Sequence, residues 1–355
     1  MWNSVVVGMS GGVDSSVAAA KLLDSGFDVI GCHLDFGLGG TSLHDTQTVA
    51  DMLGIQLHVL DLREELEREV CVPFVESYLS GATPPPCIWC NQSVKFASLQ
   101  RLAAELEANF IATGHYARIE SEFIPVPSYK LFKGRPENDQ SYMLCMLTPD
   151  VLSQVKFPLG DMTKEEVREA AREYGLPIAD KPDSMELCFI PDGDYIGFIE
   201  RRGYIPPHGN FIDTDGNILG EHKGIHRYTV GQRRGLGLAT GEHIYVREIR
   251  PRTNEIVLTD ELGLMGRVVY AGDLHYCVKA PYIPRHPFRA SVKLRHSKSE
   301  SMATVYPRRS EQRTRIVFDE PVRAATRGQR AAFYVNEMLL GSAVIRDSRS
   351  APRRS

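Results

Sequence analysis

The sequence has no run of 18 or more apolar residues, and its amino end lacks a basic stretch followed by an apolar segment. A membrane span needs about 20 such residues and a secretory leader needs that charge-then-apolar order, so neither is expected; the default address is cytoplasmic, with no membrane partner. A disulfide framework is missing too, because the seven cysteines are odd in number and irregular in spacing. Single thiols thereby become candidates for chemistry. Nor is there an overall excess of positive charge: the net charge of −4 argues against indiscriminate nucleic-acid binding. The average hides an asymmetry. From residue 280 onward there are 16 Lys and Arg against 6 Asp and Glu, a balance of +10, which leaves −14 for residues 1–279. A polyanion can dock on that end, although Arg-rich surface strands are also simply soluble.

One further absence is a lysine. The β-branched run SVVVGM (Ser4 to Met9) leads into SGGVDSS, residues 10–16, and then into an alanine-rich stretch. A Walker A loop would place lysine directly after its second glycine, whereas Val13 and Asp14 follow Gly12; the dinucleotide pattern G-x-G-x-x-G fails as well. What remains is a strand, a turn in which Gly11 and Gly12 are free to take positive φ, and a helix whose first amides point into that turn. Ser10, Ser15 and Ser16 add hydroxyls. Asp14 is an unexpected anion there unless a divalent cation such as Mg²⁺ shares the site. A plain serine-capped turn is the competing reading.

Strand-like and helix-like runs alternate after this point: a helix over Val17 to Leu23 stopped by Gly26, a strand from Phe27 to Leu34, a helix at 44–53, and a strand from Ile55 to Leu62. NFIAT (Asn109 to Thr113) is a further strand with Gly114 to Tyr116 at its carboxyl end. This predicts an α/β domain with an open, mostly parallel sheet, whose ligands sit beyond the carboxyl ends of the strands. Residues 201–270 are rich in Gly, Pro and short turns (PPHGN, DTDGN, GQRRGLGL) and read as a small linking domain. Short alternating runs (FRASVKL, TRIVFD, AAFYV, GSAVI) predict a carboxyl-terminal all-β barrel over 271–347, with a disordered tail at 348–355. Residues 1–200 form the first domain in this division.

PPPCIWCN places Cys87 and Cys90 in a C-x-x-C ahead of a helix-like stretch (Ser93 to Leu106), where a helix amino terminus would ease thiol ionisation. A catalytic thiol and a redox dithiol are both open; structural zinc wants four ligands, and no second pair follows. Cys188, in KPDSMELCFIPDGD, is followed by Phe189 and Ile190, and a buried strand cysteine is the plain reading. Cys32, Cys71, Cys145 and Cys277 have no such company and are assigned to packing.

GMSGGVDSSVAAA resembles the pyrophosphate loop of the ATP pyrophosphatase superfamily. SGGVDSS, TPPPCIWCNQSVKF, IATGHYAR, DQSYML, KPDSMELCFI, TVGQRRGLG and FDEPVRAATRGQRAAFY occur in the order seen in the tRNA-specific 2-thiouridylases and cover nearly the whole chain. The resemblance implies an adenine nucleotide α-hydrolase-like PP-loop domain that uses ATP and Mg²⁺ to adenylate the C2 oxygen of a wobble uridine. A protein persulfide then replaces that oxygen with sulfur. It further implies tRNAs of the Glu, Gln and Lys type as substrates, and a cysteine desulfurase or sulfur-relay protein as persulfide donor. Cys188 matches the persulfide cysteine, and Cys90 the nucleophile that releases sulfide or closes a Cys90–Cys188 disulfide. Gly8, Met9, Ser10, Gly11, Gly12, Val13, Asp14, Ser15, Leu34 and Gly114 match ATP-contacting positions. Pro85, Pro86 and Cys87 match the segment facing the target base, and His115, Asn138, Asp139, Gln140, Arg295, His296 and Gln329 match tRNA contacts. Two features depart from the family: Pro85 replaces the commoner Asn, and residues 36–45 are short; Cys87 is one of the family's two choices there, Asp or Cys, and leaves no carboxylate for the acid/base role the resemblance gives the Asp form. An iron–sulfur cluster, [4Fe-4S], on Cys87, Cys90 and Cys188 is a rival use of the same thiols. Another ligase or synthetase of the PP-loop superfamily is a rival that would need neither Cys90 nor Cys188.

Overall fold

The computed structural model describes residues 3–38, 42–122, 127–182, 187–238, 243–297, 299–307 and 313–350, the side chains of 347–350 apart. Part of KPDSMELCFI (183–186), part of the short segment (39–41) and the last five residues of the expected tail lie outside them.

The amino-terminal part alternates strand and helix because its apolar runs do: β1 (Ser4–Met9), α1 (Val13–Asp24), β2 (Asp28–Asp35), α2 (Ser42–Leu53) and β3 (Gln56–Asp61). α1 starts at Val13, four residues earlier than the apolar pattern suggests, since the loop serines fold into its first turn. Next come α3 (Arg63–Leu66) and α4 (Val72–Leu79), joined through a wider turn at Glu67–Cys71, and then α5 (Pro86–Trp89) and α6 (Phe96–Glu105), joined by another at Cys90–Lys95. The helix carrying C-x-x-C therefore begins at Pro86 and includes both cysteines. β4 (Phe110–Ala112) follows, then a hairpin of β5 (Ala117–Glu122) and β6 (Ser128–Lys133), α7 (Pro149–Gln154), β7 (Val155–Lys156), α8 (Lys164–Glu173) and α9 (Tyr195–Glu200).

The first sheet is parallel throughout in the order β3-β2-β1-β4-β7. Its centre, β1, is buried on both faces, as a β-branched strand covered by helices on both sides must be. Ala18, Ala19 and Ala20 let α1 lie close against the sheet. Strand order reverses between β1 and β4, so a crevice opens beyond their carboxyl ends, where Ser10 to Gly12 and Thr113 to His115 emerge.

The linking region is a four-stranded sheet of β8 (Gly209–Ile212), β9 (Ile218–His222), β10 (Tyr245–Arg250) and β11 (Glu255–Thr259). The last part is a closed barrel of β12 (Met265–Tyr276), β13 (Phe288–Lys293), β14 (Ser301–Tyr306), β15 (Thr314–Arg323), β16 (Arg330–Val335) and β17 (Met338–Ser350), closed by pairing of β12 with β17. That pairing reaches Ser350, opposite Gly266, so residues 348–350 belong to a strand and not to a tail. The β5–β6 hairpin of the first domain joins the barrel sheet where Phe132 pairs with Met338. Among the described residues no helix is long and apolar enough to cross a membrane.

Candidate active site

The glycine turn is held open from beneath. Gly11 has φ +69°, and a Cβ there would lie 2.4 Å from the Ser42 carbonyl oxygen, so only glycine fits. The Ser10 amide donates to Ser15 Oγ (3.1 Å), and Ser15 and Ser16 both donate their hydroxyls to the Gly12 carbonyl (3.2 and 2.9 Å). Gly12 caps α1 without any side-chain hydrogen bond to the first-turn amides, which is the arrangement an anion can use. Gly114 closes the other side: a Cβ there would lie 2.7–2.9 Å from the Asp14 and Ser15 backbone. Met9 and Val13 are buried in the core, so of the matched positions these two have only backbone to offer a nucleotide. Gly8 packs against Leu99, and Leu34 is half-buried at the end of β2.

Two lysines from elsewhere in the chain reach the turn. Lys164, at the start of α8, donates to Asp14 Oδ1 (2.7 Å), which also accepts from the Tyr116 hydroxyl (2.6 Å). Lys181 donates to the Gly11 carbonyl (2.9 Å) and to Asp45 Oδ2 (2.6 Å). Asp14 is thus a paired anion. It still fits Mg²⁺ as a single protein ligand, since that ion takes one or two carboxylates beside substrate phosphates.

The thiols meet. Phe189 and Ile190, next to Cys188, share one apolar cluster with Cys90, Val94 and Cys71. Cys188 feels the charges of Cys90, Lys95 and Cys87. It lies in an exposed turn and not in a buried strand, yet lost hydration still dominates: desolvation first, then Cys90, pushes its thiol up to about 11 against the pull of Lys95. Cys90 is buried and Cys87 exposed; desolvation raises both, and Lys95 again opposes it. The easier ionisation expected from a helix amino terminus is therefore outweighed by lost water. Among the described residues no three His, Cys, Asp or Glu side chains converge as metal ligands, and Cys87, Cys90 and Cys188 do not fit a cluster cradle as they stand.

Two residues of this site escaped the sequence reading. Lys95, inside the quoted CIWCNQSVKF, is the cation common to all three thiols and to His115. Cys71, assigned to packing, is buried but close enough to Cys188 for their charges to interact; burial first, then Glu67, pushes its thiol up to about 12. A wide helical turn does bring Lys95 back over Cys90, but nothing in the sequence marks that turn.

These shifts make a pH prediction. A raised thiol pKa means less thiolate at neutral pH, so alkylation of Cys188 by iodoacetamide should speed up about tenfold per pH unit from neutrality toward about 11. Lys95→Ala should slow it at fixed pH, because removing the cation raises the pKa further. A rate that levels off near the ordinary thiol value of about 8.5 would refute this environment.

The matched tRNA contacts divide sharply. Arg295 and His296 are exposed on the barrel, and neighbouring Lys293 reinforces the desolvation that lowers the His296 pKa. His115 is half-buried, stacked on Phe96 with centroids 5.8 Å apart and bonded to Thr113 Oγ1 (2.8 Å); desolvation, then Lys95, holds its pKa well below the usual value, so the ring is neutral. The others turn inward. Asp139 caps the Gly134 and Ser141 amides and pairs with Lys293 (2.8 Å), its side chain 5% exposed. Gln140 accepts from the Tyr116 amide (3.1 Å) and so braces the tyrosine that holds Asp14. Asn138, with its amide oriented to accept, takes the Lys164 amide (2.8 Å). Pro85 and Pro86 are buried, leaving Cys87 as the exposed member of that turn. Gln329 donates to the Thr83 and Pro84 carbonyls (3.1 Å each), and the Thr83 amide donates to the Arg327 carbonyl (2.8 Å). A strap of barrel backbone thus fixes the turn ahead of Cys87.

A doubly wound sheet with an anion-ready turn at its switch point defines a nucleotide-binding α/β protein. Residues 3–192 match the family described as tRNA methyl transferase HUP domain, 197–260 the tRNA methyl transferase PRC-barrel domain, and 267–345 the aminomethyltransferase beta-barrel domain. The tRNA-specific 2-thiouridylase MnmA of Carboxydothermus hydrogenoformans is 43% identical over 357 residues, covering 96% of this chain and 97% of that protein. The protein of the same name from Syntrophotalea carbinolica is 43% identical over 349 residues, covering 95% and 97%. Among solved structures, a 4-thiouridine synthetase–RNA complex with bound ATP is 17% identical, with a TM-score of 0.35, over 56% of this chain and 50% of that one. The chain belongs to the tRNA-specific 2-thiouridylase family.

Proposed function

We propose that the protein thiolates the C2 position of the wobble uridine in tRNA, spending ATP at the Ser10–Gly12 turn. The observation that carries this reading is the apolar cluster that packs Cys90 with Phe189 and Ile190, the neighbours of Cys188, in a chain whose relatives are named tRNA-specific 2-thiouridylases. A uracil carbonyl oxygen leaves poorly, so it first attacks the α-phosphorus of ATP; pyrophosphate departs into the α1 amides and AMP becomes the leaving group. Lys181 and Lys164 stand at the turn as the cations that the leaving pyrophosphate requires. Mg²⁺, beside Asp14, would supply further charge neutralisation.

A persulfide donor, such as a cysteine desulfurase or its relay protein, transfers one sulfur atom to the exposed Cys188. The Cys90 thiolate attacks the inner sulfur of that persulfide, and the S–S bond breaks to release sulfide, which attacks C2 and expels AMP. A Cys90–Cys188 disulfide remains for an external thiol to reduce. Wobble bases of the Glu, Gln and Lys type tRNAs are the expected targets, because a base in a loop can be splayed out to present its C2 edge. Exposed Arg295 and His296 would meet the RNA directly. Asn138, Asp139, Gln140 and Gln329 would act by bracing the site, and His115 by its neutral ring.

The test is to incubate the purified chain with ATP, Mg²⁺, unmodified tRNA and a persulfide donor, a cysteine desulfurase supplied with cysteine, then weigh the digested nucleosides. Formation of 2-thiouridine without iron supports the thiol route. Formation only after anaerobic iron reconstitution selects a cluster on Cys87, Cys90 and Cys188, and no product under either condition rejects thiolation.

A further inference from the structure

The GQRRGLG stretch, which the chemistry above does not use, forms one wall of a cavity of about 660 Å³ between the linking sheet and the barrel. Gly231, Gly235 and Gly237 all have positive φ (89°, 76° and 71°), and these left-handed turns throw Arg233 and Arg234 out to the surface between them. The projection is built, not loose. Gln232 accepts from the Thr229 amide (3.0 Å) and donates to the Arg234 carbonyl (3.0 Å), while the Gly231 amide donates to Val246 of β10 (2.7 Å).

Arg323 enters from the barrel side, its guanidinium 4.9 Å from the ring of buried Tyr245, and His243 completes the polar lining. Among the described lining residues one carboxylate opposes them: Glu261 lies 3.8 Å from Arg323, with both side chains exposed. Among the described residues Arg233 and Arg234 have no ion-pair partner. In a chain of net charge −4, such a concentration of unpaired arginine in a concave, polar cavity is local and specific. Small-molecule pockets are mostly apolar and enclosed, whereas this lining suits a polyanion that keeps part of its water.

The position names the polyanion. Gly231 packs on Ala324, 3.1 Å from where a Cβ would lie, and Arg323 begins the same barrel segment whose Arg327, Gly328 and Gln329 grip Thr83 and Pro84. Six residues span at most about 20 Å even when fully extended, so Arg323 lies within a few nucleotides' length of the turn that presents Cys87. We propose that this cavity clamps backbone phosphates of the RNA substrate close to the flipped-out base, with Arg233, Arg234 and Arg323 as donors. Guanidinium forks bind phosphate in pairs of hydrogen bonds and fix register without reading sequence. The inference rests on the thiolation reading.

The test uses the full chain, a fluorescent anticodon stem–loop RNA and a series of potassium chloride concentrations. Arg233→Gln/Arg234→Gln should weaken binding about tenfold or more, and should flatten the plot of log affinity against log salt by about one unit per lost phosphate contact. Arg234→Gln alone should give an intermediate loss. Arg267→Gln, which removes an exposed arginine paired with Glu320 on the barrel, should change neither quantity. Unchanged affinity and slope in the double variant would overturn the clamp, as would an equal loss in Arg267→Gln. The two readings fail separately: wild-type protein that forms no 2-thiouridine defeats the thiolation reading, whereas wild-type protein that thiolates beside a double variant that binds normally defeats only this one.

Discussion

Cys188→Ser is expected to abolish thiolation, by about a thousandfold or more, while the protein still exchanges pyrophosphate into ATP in the presence of tRNA. The two half-reactions use different parts of the site. Adenylation needs the Ser10–Gly12 turn, its lysines and the α1 amides, none of which touches sulfur. Sulfur delivery needs a thiol that can carry a second sulfur, and serine cannot. Cys90→Ser should fail in the same way but at a later step, leaving a persulfide on Cys188 that mass spectrometry detects as one added sulfur atom. Cys71 is buried against the same cluster, so Cys71→Ser should keep the activity if its role is packing alone. Loss of pyrophosphate exchange in Cys188→Ser would break the separation of the two half-reactions. Full thiolation by either variant at Cys90 or Cys188 would instead show that sulfur reaches C2 without that thiol.

Gly11→Ala should suppress pyrophosphate exchange by about a hundredfold or more while leaving the rest of the fold intact. Two costs act at this residue. An alanine at φ +69° pays about 1 kcal/mol of backbone strain, and its methyl would lie 2.4 Å from the Ser42 carbonyl oxygen, so the turn or α2 must move. A displacement of about 1 Å at a phosphate cradle is enough to misplace the leaving group. Gly26→Ala is the control, since Gly26 has φ +80° but nothing within 4 Å of its would-be Cβ. It should show the strain as a small loss of thermal stability and no loss of exchange. Equal exchange in both variants would mean that the turn does not hold the pyrophosphate.

Much of this was legible in the one-dimensional pattern. SVVVGM reads as a strand, and the alternation that follows points to a mostly parallel sheet with its ligands beyond the carboxyl ends of the strands. The late alternating runs predict a barrel. These features depend on residue type and short-range period, which the sequence displays directly, whereas Cys90 and Cys188, distant in sequence, are singled out by the family resemblance. Inward-facing polar residues were less accessible. Asp139 and Gln329 carry the same signature as surface contacts, and only the packing of barrel against sheet shows that one pairs with Lys293 and the other straps the Thr83–Pro84 turn.

The chain's local order by itself determined the strand, the glycine turn and the absence of lysine within it. Tertiary structure decided which cations stand at the turn: Lys164 and Lys181 reach it from 150 and 170 residues away along the chain. It likewise decided that lost hydration outweighs the helix terminus at Cys87 and Cys90. The physical reason is common to both. Backbone conformation answers to neighbours a few residues away, whereas the balance of charge and solvation at a site sums over every group that folding brings within a few ångströms, whatever its place in the chain.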